Sequence, residues 1–112
     1  MAKVIITKKL DEEINKKFKG DSINIFELIY SLKENPKKGK PVGNVGNIVI
    51  KELKYKSFRF YFITDGFKIK FLKVEELNEL LIKFVAMSDK RDQQKVINEI
   101  KHILRTLGSE RF

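Results

Sequence analysis

NIVIKELKYKSFRFYFITDG, Asn47 to Gly66, is the stretch whose reading decides the fold. From Ile48 to Thr64 it is dominated by β-branched and aromatic residues, the composition of strands. Lys51, Lys54, Lys56 and Arg59 are set among Tyr55, Phe58, Phe60, Tyr61 and Phe62. Asp65-Gly66 is a strong signal for a two-residue hairpin turn. With Thr64 and Phe67 as the closing pair, Phe62 is expected to face Ile69 and Phe60 to face Phe71, on an apolar face shared with Phe58. The opposite face then carries Arg59, Tyr61, Ile63, Lys68, Lys70 and Leu72, with Tyr61 across from Lys70. One face makes core and the other presents cations. A cationic sheet face with an aromatic on it is suited to gripping a phosphate backbone.

Outward from that stretch, Lys3 to Thr7 (KVIIT) reads as a first strand. Leu10, Ile14 and Phe18 recur every four residues behind Asp11, Glu12 and Glu13, which predicts a short amphipathic helix with acids at its positive end. Gly20 is expected to close it, and Asp21 or Ser22 to cap a second helix carrying Ile25, Leu28, Ile29 and Leu32. Asn35-Pro36 ends that helix, because the residue before proline avoids the helical region. Lys37 to Asn47 (KKGKPVGNVGN) reads as a basic loop, with Lys38 and Lys40 able to contact phosphate. It lacks the Gly-Lys-Ser/Thr of a Walker loop.

Downstream, Glu75 to Glu79 reads as a turn. Leu80 to Met87 (LLIKFVAM) reads as a strand that sends Leu80, Ile82, Phe84 and Ala86 to the core and leaves Lys83 on the basic face. Ser88 or Asp89 is expected to cap a final helix with the stripe Val96, Ile100, Ile103 and Leu107, flanked by Ile97 and Leu104 and closed by Gly108. The order β-α-α-β-β-β-β-α predicts a single α+β domain over residues 1–112, an antiparallel sheet of four to five strands with helices packed on it.

Composition narrows the function. The chain has 112 residues, is 42 % hydrophobic and contains nine Phe and no Trp, enough for one core. With no Cys, disulfides and thiolate metal sites are excluded. His102 is the only histidine, so a histidine metal site or a Ser-His-Asp triad lacks material, and neither metal nor cofactor is expected. No apolar run reaches the roughly 18 residues of a membrane helix, and the first residues do not read as a signal peptide. A cytoplasmic protein without a membrane partner is expected. Lys and Arg number 24 against 15 acids, a net charge of +9, which favours a polyanionic partner.

A strand, a helical hairpin, a basic loop and then ELKYKSFRFYFI resemble the RelE/ParE/HigB superfamily of bacterial and archaeal toxins. Glu52-Leu53-Lys54 stands where that family has a short EL-(R/K) strand, and Phe58-Arg59-Phe60-Tyr61 where it has an aromatic-Arg-aromatic strand. The helix from Asp89 to Leu107 is similar to the C-terminal part of HigB-like members. The resemblance implies a RelE-like fold and a metal-free mRNA endonuclease acting on the ribosome, neutralised by a cognate antitoxin protein. By the same resemblance Arg59, Lys54 and Lys56 would be catalytic; Tyr61, on the same expected face, could stack a base or hold a proton in the catalytic set.

For RNA contact, the cationic faces and the basic loop add Lys68, Lys70, Lys83, Lys38 and Lys40. Two departures stand out. The paired lysines that HigB-like members carry in the last strand are absent at Ala86 and Met87, and Phe67 to Glu79 lengthens the hairpin. A non-enzymatic module binding RNA or an acidic partner, and a ParE-like gyrase inhibitor, are the alternatives.

Metal-free RNA cleavage needs a base for the 2′-hydroxyl, cations for the phosphorane and an acid for the leaving oxygen. The planar fork of Arg59 suits phosphate. Lysines clustered with other cations can have depressed pKa values. Glu52 can pair with Arg59 or a lysine.

Overall fold

The computed structural model describes residues 1–112. It contains the strands Lys3–Ile6 (β1), Lys40–Val45 (β2), Ile48–Tyr55 (β3), Phe58–Asp65 (β4) and Leu81–Asp89 (β5), and the α-helices Lys8–Phe18 (α1), Ser22–Tyr30 (α2), Gly66–Phe71 (α3) and Gln93–Thr106 (α4). The strands form one sheet in the order β1-β5-β4-β3-β2. From β2 to β5 each neighbouring pair is antiparallel, but β1 pairs with β5 in parallel, so the sheet is mixed where an antiparallel one was expected. The α+β class holds.

Alternation along β4 divides the core in two. Phe60 and Phe62 point to the face covered by α1 and α2, where Leu10, Ile14, Ile25, Ile29, Leu53, Ile82 and Phe84 are buried with them. Tyr61 and Ile63 point to the other face, which α4 covers with Ile97, Ile100 and Leu104. The expected stripe of α4 is thus rotated, and Leu107 is exposed rather than buried.

Thr7 caps α1, its hydroxyl accepting from the Leu10 N–H at 3.3 Å. Lys19, with φ 49°, follows that helix and takes the place expected of Gly20. Neither Asp21 nor Ser22 caps α2. Ser22 instead donates to the Ile14 carbonyl at 3.2 Å, tying the helical hairpin together.

The hairpin expected at Asp65-Gly66 is not there. β4 returns from β3 through the two-residue turn Lys56-Ser57, closed by the Tyr55–Phe58 pair. Lys56 has φ 54°, a left-handed value at the first central position, as hairpin turns that match strand twist require. Asp65 caps α3 instead, its carboxylate accepting from the Lys68 N–H at 3.0 Å. The segment FKIKFL then coils, turning Ile69 and Leu72 towards the core.

The fourth strand of the meander comes from the stretch expected to be a loop: β2 carries Pro41 and Gly43 and bulges between them. An outer strand tolerates both residues, because its outward N–H groups need no partner. Gly39 enters β2 at φ +106°, where a Cβ would stand 2.8 Å from the Phe62 ring. A second bulge, between Tyr61 and Phe62 in the pairing with β5, skips Val85 and turns Ala86 to the α4 side, so Ala86 does not follow Phe84 into the larger core.

Candidate functional site

Cross-strand register assembles one cluster on the α4 side of the sheet. Lys40, Glu52, Tyr61 and Ala86 lie in one row across β2, β3, β4 and β5. Lys54, Arg59 and Ser88 lie in the next. Three of the four expected catalytic residues, Lys54, Arg59 and Tyr61, are thereby brought together, along with Lys40 from the expected RNA-binding set.

The centre of the cluster is buried. The side chains of Arg59 and Glu52 are only 9 % and 11 % exposed, and Arg59 Nε stands 3.9 Å from Glu52 Oε1. That is a loose ion pair. Arg59 Nη1 also donates to the Phe58 carbonyl at 3.3 Å. Glu52 Oε2 is buried without any hydrogen-bond partner, an arrangement that costs on the order of 1–3 kcal/mol. Lys54 and Lys40 are exposed at the margin, and neither forms an ion pair.

Tyr61 is fully buried and its hydroxyl shares a 2.8 Å hydrogen bond with the Ser88 hydroxyl. Burial pushes its phenol above the usual range, with the Glu52 charge adding to the effect, while Ser88 and Arg59 oppose it. At neutral pH it is therefore a hydrogen-bonded phenol. It cannot act as a base, and it offers no face on which a base could stack.

The other expected site residues lie elsewhere. Lys56, at the hairpin turn, reaches Asp21 at 3.4 Å on the α1–α2 side of the sheet. The Asp21 hydrogen bond raises its pKa, the opposite of what a lysine base needs. Lys68 and Lys70 belong to α3 rather than to a strand opposite Tyr61. Lys83 is on the α4 side, but pairs with Ile63, four residues along β4 from Arg59 and hence about 13 Å away. It lines a cleft of about 420 Å³ with Lys68. Lys38 lies beside Glu34 and Lys37, outside the cluster. Asp89 does not cap α4. Its carboxylate accepts from the Asp92 and Arg91 N–H groups at 3.0 and 2.9 Å, and these bonds, that of Asp92 most, lower its pKa.

Sequence reasoning missed Lys51 as a buried cation. It points to the α1–α2 side, is 2 % exposed, and donates to the Lys37 carbonyl at 2.9 Å. Burial, and next the Lys37 charge, lower its pKa. Its alternation with Glu52 was the available signal: if Glu52 and Lys54 share the Arg59 face, Lys51 must point into the core. Glu52 itself was visible in the sequence as a partner for Arg59. Its unpartnered oxygen was not.

Comparisons with protein-family models, with curated proteins and with solved structures give no match. The polar cluster on the α4 face is therefore interpreted from its own chemistry. It holds one carboxylate with a free oxygen, one guanidinium beside it and two exposed ammonium groups at its margin. There is no group of His, Cys, Asp and Glu that could hold a metal ion, and no helix long and apolar enough to cross a membrane.

Proposed function

We propose that the chain is a RelE/HigB-like toxin, an mRNA endonuclease that works without a metal and is held in check by an antitoxin. The observation that carries this reading is the juxtaposition of Glu52, Arg59 and Lys54 on one sheet face. It supplies a base, a phosphate clamp and a second cation within neighbouring cross-strand positions. An α+β chain with helices packed on a five-stranded sheet is compatible with that reading.

In this mechanism Glu52 takes the proton of the 2′-hydroxyl through its unpartnered oxygen, which is buried in the free chain and must be uncovered as the phosphate enters. The 2′-oxygen then attacks phosphorus, and the bond to the 5′-oxygen breaks to leave a 2′,3′-cyclic phosphate. Arg59 binds the non-bridging oxygens as charge builds on them, the geometry at which a guanidinium fork is strongest. The Lys54 ammonium gives its proton to the departing 5′-oxygen. Tyr61, expected to stack a base or hold a proton, becomes a fixed support through Ser88. Entry of the phosphate must displace the loose Glu52–Arg59 contact, which at 3.9 Å is weak enough to yield.

A second reading, a non-enzymatic RNA-binding module on the same fold, draws on the burial of Tyr61 and on the uncharged Ala86 and Ser88 facing the cluster. Expression of the chain alone, with mapping of mRNA 5′ ends, separates the two. New cleavage sites and growth arrest that vanish with Arg59→Lys and with Glu52→Gln support the nuclease. RNA binding without new ends, in a host with compatible ribosomes, replaces it with the second reading.

A further inference from the structure

Of the aromatic residues that the sequence places beside cations, Phe60, Tyr61 and Phe62 are buried and Tyr55 and Phe58 half-buried, but a second set is exposed. Ile69 on α3 and Leu72 just after it turn inward, and Phe67 and Phe71, one helical turn apart, turn outward. Their side-by-side rings stand 4.8 Å apart between centroids and are tilted by 46°. The residues are 59 % and 62 % exposed. Lys70 holds its ammonium 5.4 Å from the Phe71 ring centroid. Lys68 and Lys70 are exposed, and neither forms an ion pair.

Across from these rings is the β2–β3 hairpin. Between the two runs a groove of about 480 Å³, whose far wall carries the exposed residues Asn44, Gly46 and Asn47. No acidic residue lines it. The wall therefore offers amide donors and acceptors opposite an aromatic floor, with ammonium groups alongside. That combination fits a nucleotide: rings stack a base, amides meet its polar edge, and lysines meet its phosphate.

We propose that this groove binds single-stranded RNA, one unpaired base stacking on Phe67 and Phe71 with Lys70, which lines the groove, on a flanking phosphate. The chain's net charge of +9 complements such a ligand. Two phenyl rings are too small an apolar patch to anchor a typical protein interface, which takes roughly 800 Å² from each partner. The proposal rests on the reading of the chain as an RNA-contacting protein and not on its cleavage chemistry. Under that reading the groove holds substrate at a distance from the Glu52–Arg59 cluster.

The test is fluorescence anisotropy of the full chain with a short fluorescein-labelled single-stranded RNA of mixed sequence. Phe67→Ala/Phe71→Ala is expected to weaken binding by about tenfold or more. Because both rings are exposed, its circular dichroism and urea midpoint should match those of the parent. Phe67→Leu/Phe71→Leu keeps apolar bulk but removes the π faces, and is expected to lose affinity as well. Unchanged affinity in the alanine variant overturns the proposal, as does full binding in the leucine variant, which would show that apolar bulk and not base stacking holds the RNA. RNA that binds through Phe67 and Phe71 but is never cut upholds the groove and removes the nuclease. Cleavage that needs Glu52 and Arg59 but is indifferent to Phe67 and Phe71, in binding as in rate, does the reverse.

Discussion

Lys54 stands directly across the β3–β4 ladder from Arg59, so two cations occupy one cross-strand pair. Like charges in that relationship are destabilising by a few tenths to about 1 kcal/mol, and Glu52 is the only carboxylate paired with either of them. A sheet built for stability alone would place an acid or a Thr at position 54. Lys54→Gln is accordingly expected to raise stability in urea by about 0.5 kcal/mol. The same change should weaken RNA binding and reduce the slope of log affinity against log salt by about 1. Stability and salt slope are measured on the same preparation, and an increase in one with a fall in the other marks a functional cation.

Glu52 gives a prediction with two readouts. Glu52→Gln leaves Arg59 nine-tenths buried without a counter-charge, and stability should fall by about 2 kcal/mol, below the usual cost of breaking a buried pair because this one is loose. Tyr61 reports the same change electrostatically. Glu52 raises its pKa, so removing the negative charge should move the Tyr61 phenol back towards its ordinary value. Spectrophotometric titration of the phenols, with Tyr61→Phe as the reference that lacks this group, measures that shift.

The division of β4 into an inward phenylalanine face and an outward Arg59–Tyr61 face could be read from its alternation, and so could the helical hairpin and α4. What lies across from Arg59 could not. Asp-Gly serves a hairpin turn and a helix start equally well, since an Asp carboxylate caps the next N–H groups and Gly66 lacks the Cβ that would stand 3.0 Å from the Asn47 carbonyl oxygen. In FKIKFL the apolar residues fit a period of two and also a helix with Ile69 and Leu72 on one side. The true turn, Lys56-Ser57, contains no Gly or Asn to announce it. These three ambiguities together moved Lys68 and Lys70 from the sheet to α3. The covering of Tyr61 by α4 is a tertiary fact that no strand pattern encodes.

The entry to β2 depends on Gly39. Gly39→Ala would impose a Cβ at φ +106° and set it 2.8 Å from the Phe62 ring, which is itself packed on Phe84 at 4.8 Å. Strain and overpacking together should cost about 3 kcal/mol. Gly46→Ala is the control. It also has a positive φ, +57°, but nothing stands within 4 Å of its Cβ, and the cost should be about 1 kcal/mol. Equal urea midpoints for the two variants would show that Phe62 gives way.

Lys51 is a buried ammonium with a carbonyl partner and no carboxylate. Burial lowers its pKa below the 10.5 of an unfolded lysine. Between the folded and unfolded values the unfolded chain binds more protons, so stability rises with pH across that window, and below it the full penalty of burying the charge is present. Lys51→Met keeps the stem packed against Phe62 while removing the ammonium that stands 5.9 Å from that ring. At neutral pH the substitution is expected to stabilise the fold by about 1 kcal/mol, as replacement of buried charge by a well-packed apolar group commonly does. Raising the pH towards 10.5 should shrink the advantage, because the parent gains stability there and the variant has no such group to discharge. Urea unfolding of both proteins at neutral and alkaline pH measures the difference. A constant gap would mean that the Lys51 ammonium is as well solvated in the folded chain as in the unfolded one.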